Sequence, residues 1–126
     1  MALNITLLND ISAVEVKTDG EVNANALVEL IIELSTALNA TGFQRALLDF
    51  RAANVPPDQN TSELFGVVTL MGDMGVDSSV RLTGLVAADN PYYGHLETAA
   101  VSSGYEMRFF DDKDDALGWL TTPGAA

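Results

Sequence analysis

The stretch from Phe43 to Arg51, FQRALLDFR, restricts the fold most, because Ala46, Leu47, Leu48 and Phe50 follow one another with almost no polar break. Successive side chains of an extended chain point to opposite faces, so such a run needs apolar cover on both sides, as an interior parallel strand has. Helical patterns lie before and after it, and the chain is expected to wind around this strand. A length of 126 residues suits one domain with a sizeable core, and 48% apolar residues separate it from disordered compositions.

Upstream, Ile5 to Leu8 is a short apolar run closed by Asn9 and Asp10, and Ala13 to Lys17 alternates Val14 and Val16 with Glu15 and Lys17. The two read as an antiparallel hairpin, the second strand with one wet face, followed by a turn at Thr18, Asp19 and Gly20. From Asn25 to Leu38, the residues Leu27, Leu30, Ile31, Leu34 and Leu38 recur at helical spacing, with Asn23 or Asn25 as cap and Gly42 as a left-handed stop. Val28 and Ile32 widen that apolar face, which suits a broad core face or contact with another helix or a second subunit.

Downstream, Pro56 and Pro57 impose a loop over residues 52–59. A helix then runs from Thr61 or Ser62 to Met74, weakened by Gly66 and Gly72. Val80 to Ala87 is a second buried strand, Asn90 and Pro91 open the next helix, and Gly104 stops it. Glu106 to Phe110 is the last strand and Asp111 to Leu120 the last helix, with Trp119 assigned to the core. The order ββαβαβαβα predicts an α/β fold built on a single-domain mixed sheet, mostly parallel, with an antiparallel N-terminal edge strand. The domain is expected over residues 1–121, with 122–126 a disordered tail.

Composition removes several function classes. Eighteen acidic against six basic residues give a formal charge of −12, which repels nucleic-acid phosphates and limits membrane contact to something weak and peripheral. Cysteine is absent, so thiol chemistry and disulfides are too. The opening MALNITLLND lacks the pattern of a signal peptide, and a cytoplasmic location is the expectation. Asp49, Asp89 and Asp111 each close a strand and could together hold a hydrated Mg2+, but Asp is also what a helix cap requires, and the cap reading is preferred. The run Asp111, Asp112, Asp114 and Asp115 lacks the spacing of a calcium loop. His95 is the only histidine, and no local signature joins it to Ser102 or Ser103. No catalytic residue, metal or cofactor is assigned.

The segment EMRFFDDKDDALGWL at 106–120, with ALLDFR at 46–51 and VAADNPYYG at 86–94, resembles the SpoIIAA-like family, relatives of the STAS domains. The resemblance covers nearly the whole chain in element order. It implies a small α/β domain with an apolar cavity and dimer formation and, through likeness to CRAL-TRIO lipid carriers, a lipid-like ligand and membrane association. Leu64, Phe65, Val68, Met71, Met74, Tyr92 and Tyr93 would line such a cavity, with His95 at its rim, and the same residues would serve as ordinary core. The expected function is non-enzymatic binding of a small apolar or lipid-like molecule, as a homodimer.

The alternative is a STAS-type module that docks a regulatory partner through residues 54–63. STAS anti-sigma-factor antagonists carry a phosphorylatable Ser in an Asp-Ser-Ser-Gly-like turn that opens the helix after the central strand. Here AANVPPDQNTSEL replaces that turn, leaving Thr61 and Ser62 near the helix start as possible phospho-sites. Asp77-Ser78-Ser79 looks similar but precedes a strand.

Overall fold

The computed structural model describes residues 3–54, 61–87 and 91–122. In chain order they form β1 (Leu3–Leu8), β2 (Ala13–Glu21), α1 (Ala24–Thr41), β3 (Arg45–Asn54), α2 (Thr61–Thr69), β4 (Arg81–Leu85), α3 (Pro91–Ser102), β5 (Glu106–Phe110) and α4 (Lys113–Thr121). One five-stranded sheet runs in the order β1-β2-β3-β4-β5, with β1 antiparallel to β2 and the other pairs parallel. This is the expected mixed sheet, with its antiparallel strand at the N-terminal edge.

Each parallel crossover moves one strand in the same direction, so right-handed connections place α1, α2 and α3 on one face of the sheet. The chain leaves β5 to the other side, where α4 lies. The central strand serves both faces. Ala46, Leu48 and Phe50 join Leu30, Ile31 and Leu34 of α1 with Val68, Met71 and Leu96 in the larger core, while Leu47 packs with Leu85, Ala116 and Leu120 under α4. The unbroken apolar run at 46–50 is the consequence of that double burial.

Local chemistry sets the element ends. The Asn23 carboxamide oxygen accepts the Ala26 N–H at 2.9 Å and caps α1, and Gly42 closes it at φ 76, where a side chain would be strained. Asp112, rather than Asp111, caps α4 by accepting the Asp115 N–H at 3.1 Å. At the other end of α4, Thr122, the first residue of the expected tail, gives its carbonyl to Arg81. Residues 123–126 lie outside the described residues.

Five expectations need correction. The turn at Thr18–Gly20 is strand, because pairing of Asp19, Gly20 and Glu21 with Ala52, Ala53 and Asn54 overrides the turn preference of Asp-Gly, with a register irregularity between Lys17 and Asp19. The same pairing makes strand of 52–54, the start of the expected loop. Glu15 is 3% exposed rather than wet, since β2 is an interior strand lying under the start of α4. The helix after the loop ends at Thr69 instead of Met74, and turns through Gly72 and Gly75 take its place. Trp119 is half-buried, its ring 6.1 Å from Phe110 and 4.9 Å beneath the Arg81 guanidinium, outside both core clusters.

Candidate interaction surface

The carboxyl ends of β2 and β3 outrun the rest of the sheet. β4 stops where Leu85 pairs with Asp49, whereas β3 continues to Asn54 alongside Glu21. The Val22 N–H donates to the Asn54 carbonyl at 2.8 Å, tying the tip of this arm to the approach to α1. Residues 55–60, which include most of the expected docking region, lie outside the described residues. α2 opens at Thr61, with Ser62 and Glu63 exposed in its first turn; the Thr61 side chain is outside the described set. An open groove of about 650 Å3 runs between the start of α1 and α2, lined by Asn23, Ala24, Asn25, Glu63, Gly66, Val67 and Leu70.

Charge is sorted between the two sides of the sheet. The six basic residues are Lys17, Arg45, Arg51, Arg81, Arg108 and Lys113, all on strands or α4. Helices α1, α2 and α3 carry Glu29, Glu33, Glu63 and Glu97 and no Lys or Arg. Cross-strand register aligns Arg45 with Arg81 and Glu106, Leu47 with Glu15, Thr83 and Arg108, and Asp49 with Lys17, Leu85 and Phe110. Leu47 and Leu85 pack under α4, so these rows and their cations share the α4 face. The exposed large apolar side chains divide the opposite way: Ile32, Leu70 and Val101 lie on the helical side and Leu7 on β1.

On the α4 face the charges serve structure. The Lys113 ammonium lies 3.2 Å from one oxygen of the buried Glu15, and Lys17 lies 3.9 Å from the other. That pairing is coulombic, for the oxygen facing Lys113 has no aligned hydrogen bond among the described residues. Asp49 accepts the Arg51 backbone N–H at 3.0 Å and its guanidinium at 3.0 and 2.9 Å. Burial alone would raise the Asp49 carboxyl, but these bonds and the Arg51 charge outweigh it and hold the group below the usual carboxylate range. Asp49 is therefore an ion-pair partner rather than a cap or metal ligand. Asp111 is exposed, Asp89 lies outside the described residues, and no cluster of metal-ligating side chains occurs among those described.

At the amino ends of the strands a polar cleft of about 500 Å3 contains Arg45 and Arg81. Arg81 is committed to Glu106 at 2.8 Å and to the carbonyls of Trp119 and Thr122, and Arg45 donates to the Ile11 carbonyl at 2.8 Å. The cleft thus fastens the end of α4 and the β1–β2 connection. Beside it, the Ser79 N–H donates to Asp77 at 2.8 Å, and this bond lowers the Asp77 carboxyl. The Asp77-Ser78-Ser79 segment is accordingly a turn leading into β4.

The residues expected around a ligand cavity separate into different environments. Val68 and Met71 line a wholly apolar void of about 20 Å3 between α1, α2 and the sheet, no larger than a water molecule needs. Tyr93 packs its ring 5.4 Å from Phe50 and 5.5 Å from Phe109, and burial pushes its phenol upward. Met74 is half-buried against the same core, and His95 is exposed on α3. The side chains of Leu64, Phe65 and Tyr92 lie outside the described residues. His95 and Ser102 stand seven residues apart on one helix, about 10 Å along its axis.

The groove residues Ala24, Asn25, Gly66, Val67 and Leu70 were given no binding role from sequence. The available signal is the absence of Lys and Arg from 18–44 and from 52–80, which becomes informative once the fold places α1 and α2, which lie within those stretches, on one side of the sheet.

Neither a family model nor a curated protein sequence matches the chain. Solved structures do. The unphosphorylated anti-sigma factor antagonist SpoIIAA superposes with a TM-score of 0.60 at 14% identity, covering 97% of this chain and 100% of that one. An uncharacterised DUF3478-family protein with a SpoIIAA-like fold from Shewanella loihica gives 0.59 at 20% identity, covering 94% and 92%. The phosphorylated Bacillus cell fate determinant SpoIIAA gives 0.55 at 13% identity, covering 94% and 99%. With one mixed five-stranded sheet, three helices on one side and the last on the other, this chain has the SpoIIAA-like fold.

Proposed function

We propose that the chain is a protein-interaction module that docks a regulatory partner through residues 54–63 and the start of α2, with Ser62 or Thr61 as the residue a kinase would modify. The observation that carries this reading is the exposed first turn of α2, where Ser62 precedes Glu63, a residue of the groove lining. A phosphate there would sit at a helix N-terminus, where the backbone dipole favours negative charge. The fold match supports it: one matched protein is an anti-sigma factor antagonist, and SpoIIAA has been solved with and without phosphate. Incubation with cell extract and ATP, followed by mass spectrometry, should place phosphate on Ser62 or Thr61. Absence of phosphate together with absence of any partner cross-link from residues 54–63 would contradict it.

Binding of a small apolar or lipid-like molecule is the second reading, favoured by the wholly apolar lining of the void beside Met71. An acyl chain would require α2 to move away from the sheet, since the void as it stands holds about 20 Å3. Native mass spectrometry of the purified chain should then reveal a stoichiometric hydrophobic molecule, and a clean apo-protein after exposure to lipid extract would end this reading. The same spectrum reports whether the chain is a homodimer.

A further inference from the structure

We infer that the groove between α1 and α2 is the seat of a basic amphipathic helix contributed by a partner protein. The inference rests on the partner-docking reading and names the chemistry of the partner. Val67 and Leu70 offer apolar surface in the groove, and the space beside Gly66 is open, since a Cβ added there would meet nothing within 4 Å. Along α1, Val28 and Ile32 follow Ala24 at intervals of one helical turn, so an apolar stripe continues out of the groove along the helix. Leu70 is 51% exposed and Ile32 is 50% exposed. One exposed apolar residue is ordinary on any surface, but two on elements that flank a groove suit an interaction site.

Charge selects the occupant. Glu63 lies in the groove wall, Glu29 and Glu33 lie on α1, and the chain has no Lys or Arg in α1, in α2 or in the turns up to Val80. A second copy offering the same surface would set carboxylate against carboxylate, and an anionic lipid surface would meet a chain of charge −12. A helix bearing Lys or Arg avoids both penalties. Its apolar residues, spaced three and four apart, enter the groove while its cations reach Glu63 and the acidic residues of α1.

The test uses the full chain and three synthetic peptides: a helical Leu/Lys peptide, a Leu/Glu peptide with the same apolar face, and an Ala/Lys peptide with the same positive charge. Fluorescence anisotropy should show binding by the Leu/Lys peptide alone, weakened by salt, with amide NMR shifts concentrated at Ala24–Ile32 and Gly66–Leu70. Leu70→Ser and Glu63→Lys, both at exposed positions, should each weaken binding about tenfold, with Tm unchanged in the first and only slightly lowered in the second by the charge reversal in the first turn of α2. Equal binding of the Ala/Lys peptide, shifts centred instead on Asp111–Asp115, or unchanged affinity in both variants would overturn the inference. A photo-cross-linker at Ser62 separates it from the reading beneath it. A partner still captured at Ser62 in a Leu70→Ser chain that binds no peptide removes the groove helix and leaves the docking function standing. Capture at neither site removes both.

Discussion

On the face covered by α1, α2 and α3, the strands offer Val14, Val16, Ala46, Leu48, Phe50 and Leu82, an almost purely apolar surface; Glu29, Glu33 and Glu63 of α1 and α2 are exposed, while Glu97 of α3 accepts the Phe109 N–H at 3.1 Å. On the α4 face the same strands alternate Leu47 and Leu85 with Glu15, Asp49, Arg45 and Arg81, and the one covering helix is fastened at both ends by charge. The difference follows from the amount of cover. Three helices hide enough area for hydrophobic burial to dominate, at roughly 25 cal/mol per Å2. A single nine-residue helix cannot, so ion pairs and hydrogen bonds to its ends complete the attachment. The basic residues are thereby used on the α4 side, and the helical side is left acidic with exposed Ile32, Leu70 and Val101.

This contrast can be broken or sharpened at named positions, beginning with the largest effect. Gly84 pairs with Phe109 across β4 and β5, and a Cβ at Gly84 would run into the Phe109 ring, which is itself packed against Phe50 and Tyr93. Gly84→Ala should cost about 2–3 kcal/mol in chemical denaturation, because the dense helical side has little room to yield. On the α4 side, Trp119→Ala removes one ring contact and one cation–π contact rather than a core residue, so a loss of about 2 kcal/mol is expected. A loss of the size seen for buried tryptophans, about 3–5 kcal/mol, would return Trp119 to the core. Lys113→Ala should cost roughly 1–2 kcal/mol by leaving Glu15 buried with only the distant Lys17, and the double change Glu15→Leu with Lys113→Met should restore most of it. No recovery in that double variant would show that the pair is not what holds α4.

The acid limb tests the same face. The Asp49 carboxyl is lowered in the folded chain, so its contribution is present above its unfolded value near pH 4 and is lost as pH falls through the folded value. Asp49→Asn should flatten that part of the stability profile, and an unchanged acid slope would show that the Arg51 pairing contributes nothing. The smallest expected effect lies across the sheet: Ile32→Ser should change the unfolding free energy little, within about 0.5 kcal/mol, because the side chain is half in water already. A clear loss there would mean that Ile32 packs within the chain and is not kept for a partner.

Much of the fold was legible because periodicity reports burial. Leu27, Leu30, Ile31 and Leu34 marked α1, and adjacent Leu47 and Leu48 required cover on two faces, which the sheet provides. What was hidden depended on partners distant in sequence. Asp19 and Gly20 form strand only because Ala52 and Ala53 lie beside them, and Glu15 is buried only because Lys113, far along the chain, lies over it. The candidate cavity was hidden for another reason: core and ligand pocket ask for the same residues, so Val68, Met71 and Tyr93 gave one signal for two roles. The groove needed the fold before its charge pattern meant anything.

The most direct test of the account compares two exposed apolar residues on opposite sides of this division. A photo-cross-linking amino acid is placed at Leu70 beside the acidic groove or at Leu7 on β1, and each chain is irradiated in cells. The account predicts a discrete adduct from Leu70, with the captured segment helical and rich in Lys or Arg, and none from Leu7. Equal labelling from both positions, or capture only at Leu7, would contradict the assignment of the α1–α2 side as the docking surface.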